Sequence, residues 1–131
     1  MKVQDRQSAE QVRGKKARVL VVDDHAGFRT CASALLQAEG FDVVGEAEDG
    51  ASALARAAEL TPDWVLLDIQ LPDLDGFEVT ERLLAVNPEL AIVLVSSRDR
   101  SSYGPLVEQS GARGFVTKAD LSGDSIEGLL V

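Results

Sequence analysis

The sequence predicts a doubly wound α/β sandwich on three observations: five short apolar runs rich in β-branched residues, amphipathic stretches between them, and connections too long for hairpins. Connections of that length imply parallel pairing through right-handed crossovers, with helices on both faces of one sheet.

Residues 1 to 17 mix Gln, Ser, Lys, Arg and Glu without apolar periodicity, so a loosely ordered N-terminal tail is expected ahead of one domain over residues 18 to 131. Arg18-Val19-Leu20-Val21-Val22 is the first strand and, being nearly uniformly apolar, suits a central place buried on both faces. Phe28, Ala32, Leu35 and Leu36 then fall at helical spacing, and Gly40 stands where a helix end favours glycine. Asp42-Val43-Val44-Gly45-Glu46 carries charges and a glycine, which fits an edge strand. Ala51 to Leu60 consists largely of strong helix formers and stops before Pro62.

Trp64-Val65-Leu66-Leu67 is the third strand and Ala91-Ile92-Val93-Leu94-Val95 the fourth, both apolar enough for the sheet centre. Between them Asp75 to Val86 repeats Phe77, Val79, Leu83 and Leu84 at helical spacing, and Asn87-Pro88 closes that helix. Ser101 to Ser110 is expected to be helical although Gly104-Pro105 interrupts its start. Gly114-Phe115-Val116-Thr117 is the fifth strand, and Ser122 to Leu130 a short last helix. The strand order consistent with these burial patterns is 2-1-3-4-5.

At 131 residues the chain suits one compact domain with one core. Lys and Arg total 13 against 22 Asp and Glu, a formal net charge of -9 that repels phosphate backbones and argues against direct nucleic-acid binding. The longest apolar runs are far below a membrane span, and Met1 to Lys16 lacks the apolar stretch of a secretory signal, so the cytoplasm is the expected location. The single cysteine, Cys31, excludes an internal disulfide and is expected to be a small buried hydrophobe.

Chemistry gathers at the carboxyl ends of the strands, where open α/β sheets bind ligands. The first strand runs into Asp23-Asp24, the third into Asp68, the fourth into Ser96-Ser97 and the fifth into Lys118. A single Asp after a strand is usually a helix cap or a solvated loop residue, but four polar strand ends on one rim outweigh that reading. Three clustered carboxylates raise one another's pKa unless a cation compensates, and hard oxygen ligands suit Mg²⁺. Asp68, at the centre of the rim, is then a carboxylate nucleophile towards phosphorus, with Mg²⁺ and Lys118 neutralising phosphoryl charge.

Val21-Val22-Asp23-Asp24, Leu67-Asp68-Ile69-Gln70-Leu71-Pro72-Asp73-Leu74-Asp75-Gly76, Val95-Ser96-Ser97 and Gly111-Ala112-Arg113-Gly114-Phe115-Val116-Thr117-Lys118 together resemble the receiver domains of bacterial response regulators. The resemblance covers residues 18 to 131 and extends, at Asp24-His25 and Gly111 to Phe115, to receivers of DNA-binding regulators of the NarL/LuxR type. It implies a CheY-like, flavodoxin-like (βα)5 fold and a phosphorylation-activated two-component switch. Asp68 would be the phosphoacceptor; Asp23, Asp24, Asp68 and the Gln70 backbone carbonyl would hold Mg²⁺; Lys118 and Ser96 would stabilise the phosphoryl group. Ser96 and Phe115 would form the switch, and Gln70 and Arg98 would tune the phosphate lifetime. The partners implied are a sensor histidine kinase or phosphotransfer protein, a downstream protein target and a second copy in a homodimer, with no membrane and no separate substrate turned over.

A stand-alone receiver is expected, the alternative being the receiver portion of a longer DNA-binding transcriptional regulator. An aspartyl-nucleophile phosphatase would want a second acid two residues after the nucleophile, where Gln70 stands, and a nucleotide or flavin domain would want a glycine-rich loop where Asp23-Asp24 stands. A folded but silent pseudo-receiver is a fourth alternative. His25 is expected to cap a helix or lie on the surface, and Gly76 and Pro72 to serve the turn after the third strand, Gly76 by accepting positive φ. Ala119 follows Lys118 where many family members have Pro, so a cis peptide there would be costly.

Overall fold

The computed structural model describes residues 17 to 130. In chain order it contains β1 (Arg18–Val22), α1 (Ala26–Ala38), β2 (Asp42–Ala47), α2 (Gly50–Leu60), β3 (Trp64–Asp68), α3 (Gly76–Val86), β4 (Ala91–Ser96), α4 (Leu106–Gln109), β5 (Gly114–Thr117) and α5 (Gly123–Leu130). The five strands pair in parallel in the order β2-β1-β3-β4-β5. The expected tail lies outside the described residues except for Ala17, whose carbonyl accepts from the Asp42 amide at 2.9 Å.

Alternation along the central strands divides the core between two faces, because successive strand side chains point to opposite sides. Leu20, Val22, Val65, Leu67, Ile92 and Leu94 meet Ala53 and Ala57 of α2 and Val79 and Leu83 of α3. Val19, Val21, Leu66, Val93 and Val95 meet Ala32 and Leu36 of α1 and Ile126 of α5. β1, β3 and β4 are thus buried on both sides, whereas β2 is half-exposed at the edge and pairs with β1 through a bulge between Val19 and Leu20.

Helix ends follow local chemistry. Asp49 caps α2 in a reciprocal box with Ser52, and Asp75 caps α3 by accepting from the Glu78 amide at 2.8 Å. Gly40 follows α1 at φ 98°, a left-handed conformation that costs glycine little. The Arg18 guanidinium donates to the Thr61 and Leu60 carbonyls, so the first strand residue closes the C-terminus of α2.

Two expectations are corrected. The helix expected over Ser101 to Ser110 is split into a 3-10 turn, Arg100–Tyr103, and the single turn of α4, because Gly104 adopts φ 57° and Pro105 has no amide to continue the ladder. Cys31 is exposed rather than buried: α1 turns Ala32, Ser33 and Leu36 inward, and Cys31 falls one residue off that stripe. Among the described residues no helix is long and apolar enough to cross a membrane.

Candidate functional site

The parallel register delivers the polar strand ends to one rim. Asp68 closes β3 opposite Val95, and Ser96 follows on β4 opposite Thr117, the residue before Lys118. Asp23 extends β1 by one residue, its amide donating to the Ala47 carbonyl at 3.0 Å. Asp23, Asp68 and Ser96 are all buried, at 0%, 3% and 0% exposure. Asp24 projects further into solvent.

Lys118 Nζ lies 2.7 Å from Asp23 Oδ2 and 3.8 Å from Asp68 Oδ2, and sits 4.5 Å from the centroid of the Phe28 ring. Buried Asp23 Oδ2 thus has the Lys118 ammonium beside it and no other polar partner among the described residues. The other oxygen, Oδ1, accepts from the His25 amide at 2.8 Å. His25 occupies the N-cap position of α1 without a side-chain capping bond, and its ring is exposed, with Nδ1 3.1 Å from Asp24 Oδ1.

Burial pushes the Asp68 carboxyl up from 3.8 to about 6. The Gln70 amide, which donates to Asp68 Oδ1 at 3.1 Å, opposes that rise, the nearby Asp23 charge adds to it, and Lys118 opposes it. The backbone under Asp68 is tightly built: the Gly76 amide donates to the Ile69 carbonyl at 2.7 Å, and a Cβ on Gly76 would come within 2.6 Å of Ile69 Cα and 2.7 Å of the Asp68 carbonyl. Gly76 is therefore required for close backbone approach; its φ is not positive, contrary to expectation.

Asp73 ties the loop after β3 to the start of α2, accepting from the Gly50, Ala51 and Leu74 amides at 2.7 to 2.9 Å. Those bonds hold its carboxyl below the usual value of 3.8. Gln70 and Arg98 lie exposed at the margin of the rim, the Arg98 amide donating to Ser96 Oγ at 3.0 Å. Lys118–Asp120 form a 3-10 turn in which Thr117 Oγ1 accepts from the Asp120 amide, and there is no cis peptide among the described residues.

Two residues at the site were not expected from the sequence. Tyr103 ends the 3-10 turn with its hydroxyl 2.5 Å from Ser96 Oγ, and its ring packs between Phe77 and Phe115, at 5.7 and 6.1 Å. Phe28, at a helix core position by its spacing, also carries the Lys118 ammonium on its ring face.

The donor set fits Mg²⁺. Asp23 and Asp24 offer hard oxygens within 4.8 Å of each other and of the His25 ring nitrogen, and buried Asp23 Oδ2 has only the Lys118 ammonium beside it. Asp68 supplies a third carboxylate on the adjoining strand.

Comparison with known proteins agrees with this geometry. The family model described as response regulator receiver domain matches residues 19–124. The response regulator GacA of Pseudomonas viridiflava is 40% identical over 102 residues, covering 77% of this chain and 48% of the relative. The crystal structure of a two-component response regulator of the LuxR family from Aurantimonas sp. SI85-9A1 superposes with a TM-score of 0.79 at 30% identity, over 86% of this chain and 81% of that one. The chemotaxis response regulator CheY4 of Vibrio cholerae gives 0.77 at 26% identity, over 88% and 99%. The chain spans about half the length of the curated relatives it matches. With the sheet order, the acidic rim and a family match across nearly all described residues in agreement, this chain belongs to the response regulator receiver domains of two-component systems.

Proposed function

We propose that this receiver is a phosphorylation-controlled switch in which Asp68 accepts a phosphoryl group from a phosphohistidine on a sensor histidine kinase or phosphotransfer protein. The observation that carries it is the convergence of a buried Asp68, the Asp23-Asp24 pair and Lys118 at one strand-end rim. An Asp68 carboxylate oxygen bonds to phosphorus as the P–N bond of the donor breaks, and the imidazole leaves with the electron pair and takes up a proton. Asp23, Asp24, Asp68 and the Gln70 carbonyl would hold Mg²⁺, which when bound supplies positive charge to the phosphoryl oxygens.

Lys118 is within reach of both Asp23 and Asp68, so its ammonium can turn towards a phosphoryl oxygen with little movement. Ser96 donates its hydroxyl proton to another of those oxygens, and Phe115 registers the accompanying loop movement. Exposed Gln70 and Arg98 set how readily water reaches the acyl phosphate. No separate substrate is turned over, so the chain is a phosphoacceptor rather than an enzyme. The net charge of -9 favours protein partners over direct contact of this chain with nucleic acid.

The curated relatives, one named a response regulator and another a transcriptional regulator, are about twice as long as the matched region, which favours a second reading: the receiver portion of a longer DNA-binding regulator. The stand-alone reading and this one are separated by the gene, where a stop codon after Val131 supports the first and an open frame into a DNA-binding segment the second. The switch chemistry is tested by incubation with acetyl phosphate and Mg²⁺ followed by intact-mass analysis. One phosphoryl group, about 80 Da heavier, is expected in wild type, and none without Mg²⁺ or in Asp68→Asn; an adduct that survives in Asp68→Asn contradicts the assignment.

A further inference from the structure

Ser96 Oγ is fully buried and already engaged on two sides, accepting from the Arg98 amide at 3.0 Å and lying 2.5 Å from the Tyr103 hydroxyl. A serine hydroxyl has one proton and two lone pairs. The Arg98 amide uses one lone pair, so the sense of the Tyr103 bond decides whether the Ser96 proton is spent or free. When Ser96 donates to Tyr103, nothing remains for a group on Asp68. When Tyr103 donates, both Ser96 lone pairs are filled and its proton is left for that group.

The Tyr103 ring is held independently of this bond, at 67° to Phe77 and 59° to Phe115. Phe115 has no hydroxyl, and Tyr103 is the one tyrosine of the chain. Its position follows from the break at Gly104-Pro105, which ends the 3-10 turn at Tyr103.

We propose that Tyr103 is a positioning residue for Ser96: its phenol donates to Ser96 Oγ and thereby presents the Ser96 proton to a phosphoryl oxygen carried by Asp68. This rests on Asp68 being the phosphoacceptor. Tyr103 touches no reacting atom and acts through Ser96 alone, while its ring links that hydroxyl to the packing between α3 and β5.

The test is a double-mutant cycle on full-length protein, using beryllofluoride with Mg²⁺ as the phosphoryl mimic and titration calorimetry as the readout. Tyr103→Phe keeps the ring and removes only the hydroxyl; the expected loss of affinity is about three- to tenfold, the scale of one hydrogen bond. Ser96→Ala is expected to lose affinity as well, and Tyr103→Phe added to Ser96→Ala to lose nothing further, because Tyr103 then has no hydroxyl to orient. A merely structural tyrosine would give additive losses, and that additivity overturns the proposal, as does a Tyr103→Phe affinity equal to wild type. Wild type that neither binds beryllofluoride nor takes up phosphate from acetyl phosphate overturns the phosphoacceptor assignment itself, and the Tyr103 role with it; phosphorylated wild type with unaltered Tyr103→Phe overturns only the latter.

Discussion

Lys118 Nζ lies 2.7 Å from Asp23 Oδ2, more than an ångström closer than to Asp68. The ammonium therefore compensates the most deeply buried carboxylate of the rim and leaves Asp68 with weaker support. Removing Lys118 exposes Asp23 to the cost of an unpaired buried charge. Lys118→Met is expected to destabilise the metal-free protein by about 3 kcal/mol, measured by urea unfolding at neutral pH. Mg²⁺ is expected to restore part of that loss; an unchanged midpoint in EDTA contradicts this view of the pair.

The carboxyl of Asp68 is pushed up from 3.8 to about 6, and a stability consequence follows in the absence of divalent cation. Below pH 3.8 folded and unfolded states both hold the proton, and Asp68 has no effect. Between 3.8 and about 6 the unfolded chain ionises first, so stability falls as pH rises; above about 6 the deficit is complete, at most about 3 kcal/mol. Asp68→Asn is expected to be more stable than wild type at pH 7.5 in EDTA and to lose that advantage at pH 3.5. Equal differences at the two pH values, by chemical denaturation, contradict it.

Asp73 has the opposite sign. Its carboxyl is held below 3.8 by the Gly50, Ala51 and Leu74 amides, so its contribution is present above pH 3.8 and lost as pH falls through the lower folded value. Asp73→Ala is expected to speed hydrogen exchange at the Gly50 and Ala51 amides at neutral pH and to erase that part of the acid dependence. Unaltered exchange at both amides would show that the loop is held by other contacts.

Gly76 admits no side chain because Ile69 Cα and the Asp68 carbonyl stand within 2.7 Å of where a Cβ would be. Gly76→Ala is expected to cost about 1–3 kcal/mol and to displace the Asp68 backbone. Acetyl phosphate labelling should then slow even at temperatures where the variant is folded. Labelling at the wild-type rate would mean that the turn moves without carrying Asp68 along.

Strand identity, sheet order and the meeting of Asp23, Asp68, Ser96 and Lys118 were legible in the sequence, because apolar runs buried on both faces and polar strand ends are local signals that a parallel sheet converts into position. What was not legible depends on side-chain packing across elements. Nothing near Tyr103 marks it as a partner for Ser96, since the contact arises only after Gly104 and Pro105 break the segment and β5 brings Phe115 alongside. The preference of Lys118 for Asp23 over Asp68 is likewise a matter of ångströms, as is the difference between a glycine needed for its φ and one needed for its lack of a Cβ. The exposure of Cys31 is likewise not local in the sequence, because a one-residue shift on a helix turns a side chain from core to solvent.

The most direct measurement is the location of the acid-labile phosphoryl group. After treatment with acetyl phosphate and Mg²⁺, borohydride reduces an aspartyl phosphate to homoserine, and peptide mass spectrometry reads the position. Homoserine is expected at residue 68 and at no other aspartate; reduction at Asp23, Asp24 or an aspartate away from the rim, with Asp68 intact, would show that Asp68 is not the phosphoacceptor.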